Sequence, residues 1–168
     1  MYLFLNKFYQ LVPIVLSSLL ILISAANDGT LIHYSFSPAI AAICVFYWVF
    51  TYPDLIGSLT VFFVGLISDV VFIQPLGMDS FALLVAYLLT SNQREDVIKY
   101  GFFVVWGFFA YFLFIFFAVK MMISYIYLSD IFFDFDIIVQ YMFTFLIYPV
   151  VHRLLGLIRF KKIISLRI

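Results

Sequence analysis

The chain has 168 residues, of which 67% are hydrophobic and 11% are charged, and its nine basic and nine acidic residues give a net charge of zero. Soluble domains are about 45–50% apolar and about 25% charged, so this composition excludes a soluble globular protein and predicts an integral membrane protein. The neutral balance excludes a basic surface for nucleic acid. The single cysteine, Cys44, excludes an internal disulfide and favours a small buried side chain over a reactive thiol.

Six apolar segments follow one another along the chain, and a helix that spans a bilayer needs about 20 such residues. The first segment lacks a convincing cleavage site, so we expect a retained span rather than a removed signal peptide. The second and fourth segments are short for a full crossing. Residues 1–168 are thus predicted to form a single all-α transmembrane domain, with spans at about 9–26, 38–52, 55–73, 78–90, 97–118 and 137–158.

Local signals refine the ends of these helices. Pro38 is predicted to open the second helix at its first position. Asp79 or Ser80 is a possible cap for the fourth helix. The strongly polar stretch 91–99 is predicted to be a loop, and the fifth helix can extend beyond Lys120.

The placement of lysine and arginine sets the orientation of a membrane protein. Lys120 alone falls outside when six spans begin from a cytoplasmic N-terminus, and its long stem could snorkel. The acidic residues that fall outside are Asp28, Asp69, Asp79, Asp130, Asp134 and Asp136. The sequence therefore predicts a polytopic six-helix transmembrane bundle with both termini cytoplasmic. The eight basic residues inside are Lys7, Arg94, Lys99, Arg153, Arg159, Lys161, Lys162 and Arg167.

The third segment carries two glycines, Gly57 and Gly65, followed by a lone carboxylate, Asp69. Glycine lets helices approach closely in lipid, and a carboxylate near hydrocarbon is costly unless it has a partner or water. An ideal helix places on one side Ser58, Gly65, Ser68 and Asp69. We expect a packing face whose Asp69 pairs with another helix or with a partner chain. The alternative is an Asp69 that is exposed to water at the outer interface.

The sixth segment carries a polar residue every fourth position, namely Gln140, Thr144, Tyr148 and His152. Such a stripe avoids lipid and hydrogen-bonds across helices, so a seam within the chain is favoured over a ligand site. His152 is interpreted as a structural rather than a catalytic histidine. No second intramembrane carboxylate is expected beside Asp69, and catalytic pairs need two groups together. No catalytic, cofactor or metal site is predicted.

The third segment carries the ordered set G-x7-G-x3-D-x6-L-G, and further elements are Pro38, Tyr47-Trp48, Pro53, Tyr87 and Pro149. On these elements the chain, above all its segment from Pro38 to Gly77, resembles the rod shape-determining protein MreD family. The segment from Pro38 to Gly77 covers about a quarter of the chain, whereas the size and the six-span layout fit the family across nearly all of it.

This resemblance implies a non-enzymatic component of the bacterial inner membrane that scaffolds cell elongation and peptidoglycan synthesis. It implies an MreC-like bitopic partner, with links to an MreB-like filament, a RodA-like polymerase and a penicillin-binding protein. The implied fold is similar to the substrate-binding subunits of energy-coupling-factor transporters. The alternative is a small-molecule-binding transporter subunit with an outward cavity lined by Asp69 and Asp79. The residues expected to bind a partner or pack helices are Gly57, Ser58, Gly65, Asp69, Gly77, Gln140, Thr144 and Tyr148.

Overall fold

The structure is a computed structural model that describes residues 2–28, 38–128 and 135–157. Within these ranges the regular elements are all helical, as the apolar segments predict. A short 3-10 turn, Pro53–Leu55, joins the second and third helices. The seven α-helices are α1 (Tyr2–Asp28), α2 (Ile40–Thr51), α3 (Ser58–Val71), α4 (Met78–Ser91), α5 (Arg94–Ile98), α6 (Phe102–Leu128) and α7 (Phe135–Leu157).

Several predicted boundaries are wrong. The second helix begins at Ile40 rather than at Pro38, because the Ile40 amide donates to the Pro38 carbonyl in a tight turn. The third begins at Ser58, because Gly57 is extended. The predicted loop 91–99 contains the short helix α5.

The predicted fifth span, 97–118, is the most displaced. It starts instead at Phe102, since Gly101 has a φ of 88° and separates α5 from α6. A positive φ is a conformation that glycine adopts at no steric cost, so it ends α5 cleanly. The helix then runs beyond Lys120 as far as Leu128, which makes α6 one of the longest elements of the fold.

Helix α2 is the centre of the fold. Every residue from Ile40 to Phe50 is buried, Cys44 among them. The helix contacts α1, α3, α4, α6 and α7, so its neighbours lie on all sides. A helix that is hydrophobic all round has no polar face to turn to solvent, and this pattern is typical of a buried core helix. The absence of periodicity in the α2 sequence thus follows from its position.

Within the part of the chain that the structure describes, two helical stretches are long and apolar enough to cross a membrane, Phe102–Ile126 in α6 and Asp136–Gly156 in α7. The two helices are joined by hydrogen bonds from the Trp106 indole to the Phe145 carbonyl at 3.1 Å and from the Tyr141 hydroxyl to the Ala110 carbonyl at 2.9 Å. Four further apolar helical stretches are shorter: Val12–Ala26, Ile40–Thr51, Ser58–Val71 and Met78–Ser91.

Several residues used to predict the orientation lie outside the described residues. They are Asp130, Asp134, Arg159, Lys161, Lys162 and Arg167, in the segments 129–134 and 158–168. The segment 29–37 between the first two predicted spans is likewise outside them.

Candidate functional site

Asp69 caps the start of α4 from the neighbouring helix α3. Its Oδ2 accepts hydrogen bonds from the Gly77 amide at 2.9 Å and the Ser80 hydroxyl at 3.0 Å, and its Oδ1 accepts from the Asp79 amide at 2.8 Å. The first amides of a helix have no partner within it, and a side-chain oxygen normally satisfies them from the N-cap position. Gly77 occupies that position and has no side chain, so Asp69 supplies the carboxylate instead. The fully buried charge is thereby satisfied by hydrogen bonds within the chain.

The backbone of Asp69 also ends its own helix. Its carbonyl accepts from the Gln74 amide at 2.9 Å, and the Val70 carbonyl accepts from the Ile73 amide at 3.4 Å. This pair of bonds is the pattern of a Schellman motif, which requires a left-handed residue between them. Ile73 adopts that conformation with a φ of 53°. One residue therefore terminates α3 through its backbone and starts α4 through its side chain.

Gly65 sets the distance between α3 and α4. A Cβ atom built on Gly65 would lie 2.3 Å from the Ser80 Cα and 2.7 Å from the Ser80 amide nitrogen. Both atoms belong to the backbone, so no rotamer change relieves the clash. Only glycine at residue 65 allows α4 to come close enough for Asp69 to reach its first amides.

Asp79 continues this polar cluster toward α6. Its Oδ2 accepts from the Ser68 hydroxyl at 2.8 Å, and its Oδ1 lies 2.8 Å from the Lys120 ammonium. The exposed fractions of the two charged side chains are 6% for Asp79 and 17% for Lys120. The expectation that no second carboxylate lies in this region is wrong, because Asp79 follows Asp69 in the network. Lys120 is likewise an ion-pair partner rather than an isolated snorkelling cation.

A cavity of about 70 Å³ with a mixed polar and apolar lining lies against the Asp79–Lys120 pair. It is enclosed by the start of α2, the end of α3, the turn into α4, α6 and α7. The buried Oε1 of Gln74 faces no hydrogen-bond partner among the described residues. The lining residues are Pro38, Ala39, Ile40, Ala41, Ser68, Phe72, Gln74, Asp79, Phe116, Lys120 and Gln140.

The polar stripe of α7 turns inward. The Thr144 hydroxyl donates to the Gln140 carbonyl at 2.6 Å and accepts from the Ala39 amide at 3.0 Å. The Tyr148 hydroxyl lies 3.3 Å from the His152 Nδ1. Thr144 and Tyr148 are fully buried. Along these residues the stripe is a seam with α2, and Gln140 at its start also lines the cavity.

The eight residues singled out from the sequence thus separate into three places. Gly65, Asp69 and Gly77 build the α3–α4 contact, whereas Gln140, Thr144 and Tyr148 face α2 and the cavity. Gly57 and Ser58 are exposed, and a Cβ on Gly57 would meet nothing within 4 Å. On the expected common face of α3, Gly65, Ser68 and Asp69 are buried, whereas Ser58 in the first turn of the helix is exposed.

The sequence reasoning missed the roles of Gln74 and Lys120. In the sequence, Gln74 is only one of the unspecified positions of the ordered set, and Lys120 is an exception to the orientation rule. A basic residue within an apolar helix is itself a signal that a partner of opposite charge is needed. Asp79, the first acidic residue after the turn, was available as that partner.

Replacing Lys120 by methionine is expected to lower the free energy of unfolding by about 2–3 kcal/mol. Removing one partner of a fully buried ion pair costs about 3–5 kcal/mol, and the partial exposure of Lys120 reduces that cost. The matched control is Lys99→Met, since the Lys99–Asp96 pair has side chains that are 68% and 80% exposed and such pairs contribute about 0–1 kcal/mol. Thermal unfolding of the detergent-purified variants measures both. Equal losses would show that the buried pair has no special role.

Among the described residues, no three His, Cys, Asp or Glu side chains come together as a metal site would require. No protein-family model, curated protein or solved structure matches the chain.

Proposed function

We propose that the chain is a non-enzymatic, multi-pass component of a bacterial inner membrane that scaffolds the cell-elongation complex, as its resemblance to the MreD family implies. Its partners are an MreC-like bitopic protein and, directly or through it, an MreB-like filament, a RodA-like polymerase and a penicillin-binding protein. Its six spans are α1, α2, α3, α4, α6 and α7, with both termini in the cytoplasm.

The membrane placement is supported by the two long apolar helices and by the apolar side chains that the fold leaves exposed, including Phe103, Phe114 and Ile126 on α6. Three of the proposed spans, α2, α3 and α4, have only 12 to 14 residues. At 1.5 Å per residue they rise about 18–21 Å, which is less than the 30 Å hydrocarbon core. Non-helical backbone at membrane depth is tolerated where protein covers it, and α2 is covered on all sides.

One observation carries the scaffold proposal. Gly65, Asp69 and Gly77 of the ordered motif form one internally satisfied unit, in which Gly65 permits the approach of α4 and the Asp69 carboxylate holds its first turn. All the observed bonds of that carboxylate go to α4. A motif used in this way maintains the shape of a helical hairpin, which is what a protein that positions other membrane helices needs.

The small-molecule-binding transporter subunit is the second candidate, and the cavity beside Asp79 favours it. Size weighs against it, because ligand pockets usually have about 300–1,000 Å³ and this cavity has about 70 Å³. Uptake of a solute by cells that produce the chain is the result this candidate requires.

Co-production with an MreC-like bitopic protein tests the scaffold. We expect the two proteins to remain together through detergent extraction and size-exclusion chromatography, while an unrelated single-span protein of similar length separates. The Ser58→Leu variant replaces a small side chain by a larger one at an exposed position of α3. It therefore tests whether this end of α3 contacts the bitopic protein, without disturbing the core. Separation of the unmodified chain from the bitopic protein, together with unchanged cell width after depletion of the chain, would contradict the proposed function.

A further inference from the structure

The cavity beside the Asp79–Lys120 pair presents both hydrogen-bond acceptors and hydrogen-bond donors. Asp79 and the Gln74 Oε1 offer hydrogen-bond acceptors, whereas Lys120 offers ammonium donors. The α2 helix begins at the cavity wall, and Ala39 at its N-cap has no side chain that can accept from its first amides. The N-terminus of a helix carries roughly half a positive charge. The cavity thus has one part that attracts a cation and another that attracts an anion.

We propose that this cavity binds a small zwitterion in which a primary ammonium group stands close to a phosphate or carboxylate. The ammonium donates to Asp79 and to the Gln74 Oε1, and the anionic group lies toward Lys120 and the start of α2. Such a molecule is available as the headgroup of phosphatidylethanolamine or as a free amino acid, and both sources share this chemistry.

The balance of charges in the cavity favours a zwitterion over a simple ion. Asp79 and Lys120 already compensate each other at 2.8 Å. A ligand with a net charge would add an uncompensated charge to a largely buried site, which is costly. A zwitterion adds no net charge and places each of its ends beside the group of opposite sign.

The Gln74 Oε1 is the observation that points to a ligand rather than to a closed ion pair. A buried acceptor left without a hydrogen bond costs about 1–3 kcal/mol, so native folds rarely keep one without a use. Asp79 and Ser68 are buried beside the same space, and their hydrogen bond fixes the orientation of the carboxylate.

The volume of the cavity limits the size of the ligand that it can hold. A single water needs about 10–15 Å³ of such space, so about 70 Å³ admits several waters or a small zwitterion. Acyl chains and larger solutes must remain outside. This inference rests on the cavity alone and depends on neither of the two proposed functions.

The test is binding to the full-length protein. Glycine and sn-glycero-3-phosphoethanolamine serve as soluble probes in a thermal-shift assay, with sn-glycero-3-phosphocholine as the matched probe whose nitrogen carries no hydrogen. Native mass spectrometry then counts lipids retained from bilayers of phosphatidylglycerol mixed with either phosphatidylethanolamine or phosphatidylcholine. We expect the primary-ammonium form to bind at least about tenfold more tightly than its choline counterpart in one or both arms. Binding of glycine in the soluble arm indicates a free amino acid, whereas binding of sn-glycero-3-phosphoethanolamine without glycine, or retention only in the lipid arm, indicates a headgroup.

The decisive variant is Gln74→Leu. The Gln74 Oε1 has no partner among the described residues, so this change removes no observed hydrogen bond of that oxygen and leaves the stability of the unliganded protein unchanged or slightly raised. We expect it to weaken binding of the probe by about tenfold, or about 1.4 kcal/mol. Gln93→Leu, an exposed position in the turn after α4, is the control and leaves binding unchanged. No preference for the primary ammonium, or equal binding by the two variants, would overturn the proposal.

The result is also separable from the scaffold proposal. Retention of the bitopic protein is measured without added ligand, whereas zwitterion binding is measured on the isolated chain. Failure of one measurement leaves the other interpretable.

Discussion

Asp69→Leu is expected to abolish the folded protein, or to lower its free energy of unfolding by more than about 4 kcal/mol. The substitution leaves three donors without their acceptor, namely the amides of Gly77 and Asp79 and the hydroxyl of Ser80. Each buried donor left unsatisfied costs about 1–3 kcal/mol. Fluorescence-detected size-exclusion chromatography after graded heating measures the fraction that remains monodisperse.

Asp69→Asn is expected to lower the free energy of unfolding less than Asp69→Leu does. Asparagine retains one acceptor oxygen but replaces the other by an amide nitrogen, so it supports part of the cap. We expect its stability to lie between that of the unmodified chain and that of Asp69→Leu. The control is Asp54→Asn at an exposed aspartate of the 3-10 turn, which should be neutral. Wild-type stability in Asp69→Leu would mean that the carboxylate does not hold the α3–α4 contact.

Gly65→Leu is expected to prevent α3 and α4 from packing, so that little or no monodisperse protein is recovered. The first added carbon already falls 2.3 Å from the Ser80 Cα, and a side chain at this distance forces the backbones apart. Overpacking typically costs about 1–3 kcal/mol where side chains can adjust, and more is expected here because backbone atoms cannot. The recovered fraction after detergent extraction is the measurement.

Gly65→Ala and Gly107→Ala make a matched pair of smaller changes. A Cβ on Gly107 meets nothing within 4 Å in α6, so alanine there should leave stability unchanged or raise it by up to about 1 kcal/mol through helix propensity. Alanine at Gly65 should lower it, because the clash begins at the Cβ. If both variants unfolded at the same temperature, the close approach of the two helices would not need a glycine.

The helical class and most of the helix positions could be predicted from the sequence, because long apolar runs between turn residues leave few alternatives. The helix starts were harder. Helix α2 begins two residues after the expected start at Pro38, because the Ile40 amide donates to the Pro38 carbonyl in a local turn. At α6 the break depends on a positive φ at Gly101, which composition alone does not reveal.

The candidate site was predictable only in part. Glycine and aspartate in an apolar helix signal a covered face, and Gly65 and Asp69 do lie on one. The partner of Asp69 could not be foreseen, because a cap supplied from another helix has no fixed sequence spacing. The cavity was equally hidden, since it joins side chains from Gln74, Lys120 and Gln140 that the chain brings together only after folding.

The central position of α2 has a consequence for how the protein is made. Ala39 at its start is held by Thr144, a residue 105 positions later, so this contact can form only after α7 has been synthesised. Until α7 has been synthesised, the side of α2 that contacts α7 remains uncovered in the nascent chain. The addition of α7 therefore completes the surroundings of α2, and a chain truncated before α7 would present an incomplete core to cellular proteases.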